Sequence, residues 1–95
     1  MSIQDEVIEW HSKTFPNATH GAIIDKLIEE ATELSEVDGE AQETCDEIAD
    51  VVIVACSLLG RWGLKLDDIV RAKLEINSKR AWGDEIENGD RPRVK

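Results

Sequence analysis

Positive charge is scarce in this sequence of 95 residues. It holds 11 Lys and Arg against 21 Asp and Glu, which gives a formal net charge of -10. A protein of that sign repels the phosphates of nucleic acids and has no general attraction to an anionic membrane. We therefore expect neither a nucleic acid polymer nor a membrane as a partner.

Cysteine is also rare, since Cys45 and Cys56 are the only two in the chain. They lie eleven residues apart in segments with helical spacing, so they form no CxxC pair and suggest no zinc site or disulfide framework. We expect two reduced thiols in a cytoplasmic protein.

Long hydrophobic runs are missing as well. The longest apolar stretch covers residues 48–59, is interrupted by Asp50 and Ser57, and falls short of the roughly 20 residues that span a bilayer. The first ten residues lack the basic and then apolar segments of a signal peptide. Both absences favour a cytoplasmic location.

Apolar residues spaced i, i+3, i+4 recur in four segments, which predicts an all-α fold. We expect helices up to about residue 11, then over about 20–37, 40–62 and 67–82, with Pro16 barring extension of the first and Gly63 in a left-handed C-terminal cap of the third. The β-branched run 51–54 would suit a strand, but the length of its segment favours helix.

Short connections between the predicted helices favour a compact bundle of about four helices. Residues 1–83 form the predicted domain, and residues 84–95 form a polar C-terminal tail. A domain of this length buries a limited share of its surface. We therefore expect a homo-oligomer to complete the core.

Two pairs of carboxylates carry the candidate chemistry. Glu30 borders the apolar arc of the second helix with Glu33 one turn on, and Glu47 and Asp50 directly precede the apolar run of the third helix. We expect Asp50 to be partly buried, where an unpaired carboxylate is costly unless it meets a cation. If the two helices pack antiparallel, the four carboxylates converge and suit Mg²⁺.

Other metal sites fit less well. A di-iron bundle uses Glu-x-x-His motifs, and neither His11 nor His20 follows a Glu by three residues. The EF-hand loop and the HExxH motif are absent. The remaining structural alternative is that these acids form an ordinary solvated helix face.

The acidic motifs resemble those of a known superfamily. Glu29-Glu30-Ala31-Thr32-Glu33, then thirteen residues, then Glu47-Ile48-Ala49-Asp50, resemble the EExxE…ExxD signature of the MazG-like all-α nucleoside triphosphate pyrophosphatases. Further matches resemble the dATP/dGTP pyrophosphohydrolase branch of phages and bacteria: Trp10-His11, Thr14-Phe15-Pro16, Trp62-Gly63, Lys73-x-x-x-Asn77 and Arg80-Ala81-Trp82.

The resemblance implies hydrolysis of a (d)NTP, with dGTP or dATP as the expected substrate, between the α and β phosphates to a monophosphate and pyrophosphate. Mg²⁺, or Mn²⁺ as its substitute, would be held by Glu30, Glu33, Glu47 and Asp50. Glu29 is expected to be catalytic, although it could bind a second ion, orient the attacking water or simply be solvated. The expected assembly is a homo-oligomer, either a dimer or a tetramer.

A cationic stripe is the second candidate site. Lys73, Asn77 and Arg80 follow i, i+4, i+7 spacing in the predicted fourth helix, within residues 71–95, which are the net-basic part of the chain. They could clamp the β and γ phosphates or be ordinary surface residues. Trp10, Phe15 and Trp82 could stack on the base or pack in the core.

The competing function is a non-catalytic helical module that binds a metal or a partner protein, or that oligomerises. A structural metal site does not need the cationic stripe, whereas a triphosphate does. The stripe therefore favours the enzyme.

Overall fold

The computed structural model describes residues 1–86 and 89–92 and contains four α-helices and no β-strand in that part of the chain. The helices are α1 (Ile3–Thr14), α2 (His20–Ser35), α3 (Ala41–Arg61) and α4 (Leu66–Lys79). The predicted all-α fold is confirmed, and the β-branched run 51–54 lies within α3. No helix among these residues is long and apolar enough to cross a membrane.

Side-chain caps set the start of the first two helices. Ser2 Oγ accepts a hydrogen bond from the Asp5 backbone N–H at 3.1 Å, and Asp5 Oδ2 accepts from the Ser2 N–H at 3.2 Å. Thr19 Oγ1 accepts from the Ala22 N–H at 3.1 Å at the start of α2. These bonds satisfy backbone donors that have no partner within the first turn of a helix.

The predicted end of α1 was too early. The helix continues to Thr14, because the steric restriction that Pro16 places on its neighbour Phe15 acts only at that point. At the other end of the core, α3 stops at Arg61, and Gly63 has a φ of +68°. The predicted left-handed glycine after α3 is therefore confirmed.

The start of α4 depends on a residue that lies far away in the sequence. Lys65 makes no capping bond with its side chain. Instead, Gln4 of α1 donates to the Leu64 carbonyl at 2.9 Å and accepts from the Leu66 N–H at 2.7 Å. This amide therefore ties the α3–α4 connection to the first turn of α1.

The core lies between α3 and the two helices that pack on it, α2 along its length and α1 on another side. Ile23 and Cys56 are buried there, and burial raises the pKa of the Cys56 thiol. Cys45 is exposed, and both cysteines are free, as expected. Gly60 lets α1 approach closely, since an added Cβ would lie 2.5 Å from Cγ1 of Ile8.

Helix α4 makes few contacts with the other helices and exposes its apolar residues. Val70 is 52% exposed and Leu74 is 65% exposed. The radius of gyration is 15.9 Å, whereas a compact domain of this length has about 12 Å. The single chain therefore leaves an apolar surface on α4 uncovered.

The C-terminal tail turns back toward the end of the helical domain. The Gly83 N–H donates to the Pro92 carbonyl, and the Ile86 N–H donates to the Asp90 carbonyl at 2.8 Å. Within the predicted 84–95 tail, residues 87, 88 and 93–95 lie outside the described residues. The division into a domain and a tail stays a prediction.

We expect Gly60→Ala to lower the melting temperature by about 4 °C or more. The new methyl group would overlap Ile8, and overpacking of about 1–3 kcal/mol exceeds the gain of about 1 kcal/mol in helix propensity. Gly21→Ala is the control, because its Cβ would meet only Thr19 Oγ1 at 4.0 Å. Circular dichroism melts that rise equally for both variants would contradict the close approach.

Candidate metal centre

The hairpin of α2 and α3 brings three carboxylates together. Glu30 comes from α2, and Glu47 and Asp50 come from α3, and each offers an oxygen within 4.8 Å of the others. These three residues are called the acidic cluster below. Carboxylate oxygens at this separation suit a hard divalent cation.

Burial within the acidic cluster is uneven. Glu30 is only 6% exposed, Glu47 is half-buried and Asp50 is exposed. The expected burial of Asp50 was therefore wrong, because the apolar part of α3 begins after it and Asp50 faces the open side of the groove.

Two oxygens of the cluster lack a partner among the described residues. Oε2 of Glu30 and Oε2 of Glu47 are both buried and accept no hydrogen bond. Buried carboxylate oxygens of this kind are costly unless a cation or donor meets them. The donor set and these unpaired oxygens fit a bound divalent metal ion.

Lys26 is a further residue in contact with the acidic cluster, and the sequence motifs did not indicate it. Its Nζ lies 3.1 Å from Oε1 of Glu30 and 3.5 Å from Oε1 of Glu29. The hydrogen bond to Glu30, followed by the charge of Glu29, raises the pKa of Lys26. The available signal was its position four residues before Glu30 on the same helix.

Glu33 and Glu29 flank the cluster without belonging to the group of three. Both are exposed. Contact with the Glu30 side chain, and then the negative charge of Glu30, raises the pKa of Glu33, as expected where two carboxylates crowd each other. The structure thus gathers Glu30, Glu47 and Asp50, with Glu33 beside them and Glu29 on the rim.

An apolar cavity lies next to the acidic cluster along the same groove. It has a volume of about 280 Å³ and includes Lys26 in its wall, with His11, Phe15, Ala18, Ala22, Ile23 and Val54. Lys26 therefore contacts both features. Since Val54 follows Asp50 by four residues on α3, the cavity and the cluster are one helical turn apart.

Arg61 fixes the aromatic side of this cavity. Its Nη2 donates to the Phe15 carbonyl at 2.8 Å and lies 3.4 Å from Nδ1 of His11. Burial, helped by the charge of Arg61, lowers the pKa of His11. Both causes favour the neutral imidazole over the charged form beside the guanidinium.

The three candidate base-binding aromatics lie in different places. Phe15 lines the cavity, and Trp10 packs edge-on against Phe15 with ring centroids 5.9 Å apart. Trp82 lies beyond α4, where its Nε1 donates to the Asn77 carbonyl at 2.8 Å. Of the three, only Phe15 contacts both the cavity and the residues that shape it.

The predicted stripe on one helix was wrong for Arg80. Helix α4 ends at Lys79, and Arg80 is extended with φ -77° and ψ 151°, although its Nη1 still donates to Oδ1 of Asn77 at 3.2 Å. Lys73 and Asn77 lie on α4 as expected. Within residues 1–86 and 89–92, no hydrogen bond or ion pair joins these three residues to the acids of α2 and α3.

Comparison with known proteins identifies the family. Residues 3–95 match the model of the dATP/dGTP pyrophosphohydrolase family. A dATP/dGTP diphosphohydrolase of cyanophage S-2L is 38% identical over 80 residues, which cover 84% of this chain and 74% of that protein. A dATP/dGTP diphosphohydrolase of Salmonella phage PMBT28 is 32% identical over 97% of this chain, which spans 30% of that protein's length.

A solved structure supports the same relationship. The MazG-like pyrophosphohydrolase of cyanophage S-2L, bound to dGDP and three catalytic Mn²⁺ ions per active site, is 34% identical with a TM-score of 0.74, covering 97% of this chain and 93% of its own. The resemblance seen in the acidic motifs is thereby confirmed in sequence and in fold. The chain belongs to the dATP/dGTP pyrophosphohydrolase family.

Proposed function

We propose that this protein hydrolyses dGTP and dATP between the α and β phosphates, giving a nucleoside monophosphate and pyrophosphate. The observation that carries the proposal is the acidic cluster, with two buried and unpaired carboxylate oxygens, next to an apolar cavity. The names of the phage relatives and the dGDP in the cyanophage structure support the same substrate class. Free deoxynucleotides occur in the cytoplasm, where we place the protein.

Glu30, Glu47 and Asp50, with Glu33 beside them, are the proposed ligands of Mg²⁺, for which Mn²⁺ can substitute. Bound divalent ions would neutralise phosphate charge, polarise the α-phosphate and lower the pKa of an attacking water. The chain itself contributes a fixed array of oxygens, because both helices hold their carboxylates at defined positions in the groove. Mn²⁺ in the related cyanophage structure is in keeping with this choice.

Glu29 is the proposed general base. Its carboxylate is exposed on the rim of the cluster, where it pairs with Lys26 at 3.5 Å. An exposed carboxylate next to the metal ligands can accept a proton from water without giving up a metal bond. Glu29 would therefore orient the attacking water.

The apolar cavity is the proposed site for the base. Its volume of about 280 Å³ lies just below the roughly 300–1,000 Å³ of pockets for drug-sized ligands. It therefore suits a base better than a whole nucleotide. Phe15 would contact the base, and Trp10 would support the Phe15 ring from outside the cavity. Trp82, which is hydrogen-bonded to Asn77, would contact the nucleotide at that position instead.

Lys73, Asn77 and Arg80 are the proposed ligands of the β and γ phosphates. A chain with a net charge of -10 needs local cations to hold a triphosphate. Since α4 makes few contacts within its own chain, we propose that a neighbouring subunit brings this cationic group to the groove. The active form would then be a homo-oligomer with composite sites, as a dimer or a tetramer.

The competing function, a non-catalytic module that binds metal or a partner, explains less. It accounts for the acidic cluster but gives no role to the apolar cavity beside it. Family membership also favours the enzyme.

The decisive experiment is product analysis of dGTP and dATP incubated with Mg²⁺. We expect the monophosphate and pyrophosphate in equal amounts, with no accumulation of the diphosphate, because attack at the α-phosphate expels the β and γ groups together. Anion-exchange chromatography separates these products. Formation of dGDP and orthophosphate, or an unchanged triphosphate with both Mg²⁺ and Mn²⁺, would refute the proposal.

Glu30→Gln should lower turnover by about 100-fold or more, because the amide replaces a charged metal ligand in the groove. The helical circular dichroism should stay at the wild-type level. Glu43→Gln is the control, since Glu43 is an exposed acid in the first turn of α3. Near-normal turnover of the Glu30 variant would contradict the metal site and would indicate that these acids form an ordinary solvated helix face.

Leu74→Glu should dissociate the oligomer and reduce turnover, because it places a charge in the apolar surface of α4. Light scattering at micromolar concentration reports the mass. Ala72→Glu is the control, since it adds the same side chain to another side of the helix. A wild-type protein that is monomeric and active would contradict the composite site.

A further inference from the structure

Lys26 has an unusual position for a lysine in an acidic protein. Its Nζ contacts the deeply buried carboxylate of Glu30 at 3.1 Å. Among the described residues, no other Lys or Arg forms an ion pair with the acidic cluster. Within the described part of the chain, Lys26 therefore supplies the positive charge that lies closest to the Glu30 carboxylate.

The two ends of this ion pair differ in their freedom to move. The Glu30 side chain is enclosed by α2 and α3, whereas the Lys26 side chain is 52% exposed. A flexible lysine stem can swing into solvent or along the rim of the apolar cavity, which Lys26 also lines. The ammonium can therefore leave Glu30 without disturbing the helix hairpin.

We infer that Lys26 is a positioning residue that takes the place of the metal ion, holding Glu30 in the metal-free protein and withdrawing when a divalent ion binds. This inference rests on the proposed metal site at the acidic cluster. It does not follow from an ordinary surface ion pair, because an exposed i, i+4 pair contributes little. Here one partner is buried and its other oxygen, Oε2, is unpaired.

The physical reason is competition for one carboxylate. An ammonium group and a divalent ion that share Glu30 repel each other at short distance in a partly dry groove. Metal binding must then displace Lys26, and part of the metal affinity is lost in breaking that contact. The same contact keeps Glu30 oriented in the groove before the metal arrives.

The test compares wild type with Lys26→Met, which keeps much of the length of the side chain and removes its charge. Titration calorimetry with Mn²⁺ alone should show an affinity about fivefold or more above that of wild type. In chelator, the melting temperature of the variant should fall by about 3 °C or more. Saturating Mn²⁺ should remove this difference.

Two further variants separate the inference from a general effect of charge. Lys13→Met removes an exposed lysine that pairs with Glu9 at 3.0 Å, away from the cluster, and should leave the Mn²⁺ affinity unchanged. Lys26→Arg keeps the charge and should retain the low affinity of wild type. Lys26→Gln provides the same measurement as Lys26→Met if the latter aggregates.

The outcomes are distinguishable. An Mn²⁺ affinity of Lys26→Met that equals or falls below that of wild type would overturn the inference while leaving the metal site in place. An equal gain in Lys13→Met would overturn it as well, since net charge would then explain the result. A wild-type protein that takes up no Mn²⁺ would remove the proposed metal site itself, and this inference with it.

Discussion

The burial of one carboxylate, that of Glu30, constrains the rest of the site. A charged group so far from water requires a compensating cation, and α2 cannot pack on α3 along this face without enclosing it. Glu47 and Asp50 add negative charge to the same groove, so the hairpin is at once part of the core of the fold and the proposed centre of the chemistry.

The candidate functional groups are divided among separate elements. The acids lie on α2 and α3, the aromatic side of the cavity comes from the end of α1, and the cationic group lies on and just after α4. This separation keeps Lys73 and Arg80 from neutralising the acids within one chain. It would also allow a small acidic protein to combine the proposed metal site with the proposed phosphate site, because the opposite charges of the two sites lie on different elements.

Local spacing predicted much of this arrangement. The periodicity of α2 placed Glu30 at the edge of the apolar arc, where the structure buries it. The depth of Asp50 could not be predicted, because a helical pattern gives direction and not distance from the surface. The end of α4 was predicted too late, because periodicity alone does not indicate that the backbone becomes extended at Arg80. The Gln4 contacts at the start of α4 span more than sixty residues and have no local signal.

Lys26 shows why a correct pattern can still be read incompletely. Its spacing from Glu30 was visible, yet such pairs are common on solvated helices and indicate no function. The meaning of the pair comes from the burial of one partner, which only the packing of α2 against α3 determines. If a lysine stabilises the metal-free groove, a tighter internal pair must weaken metal binding, because both cations draw on the same carboxylate. The strength of this one contact would then set the balance between the order of the groove before metal binds and its affinity for the metal.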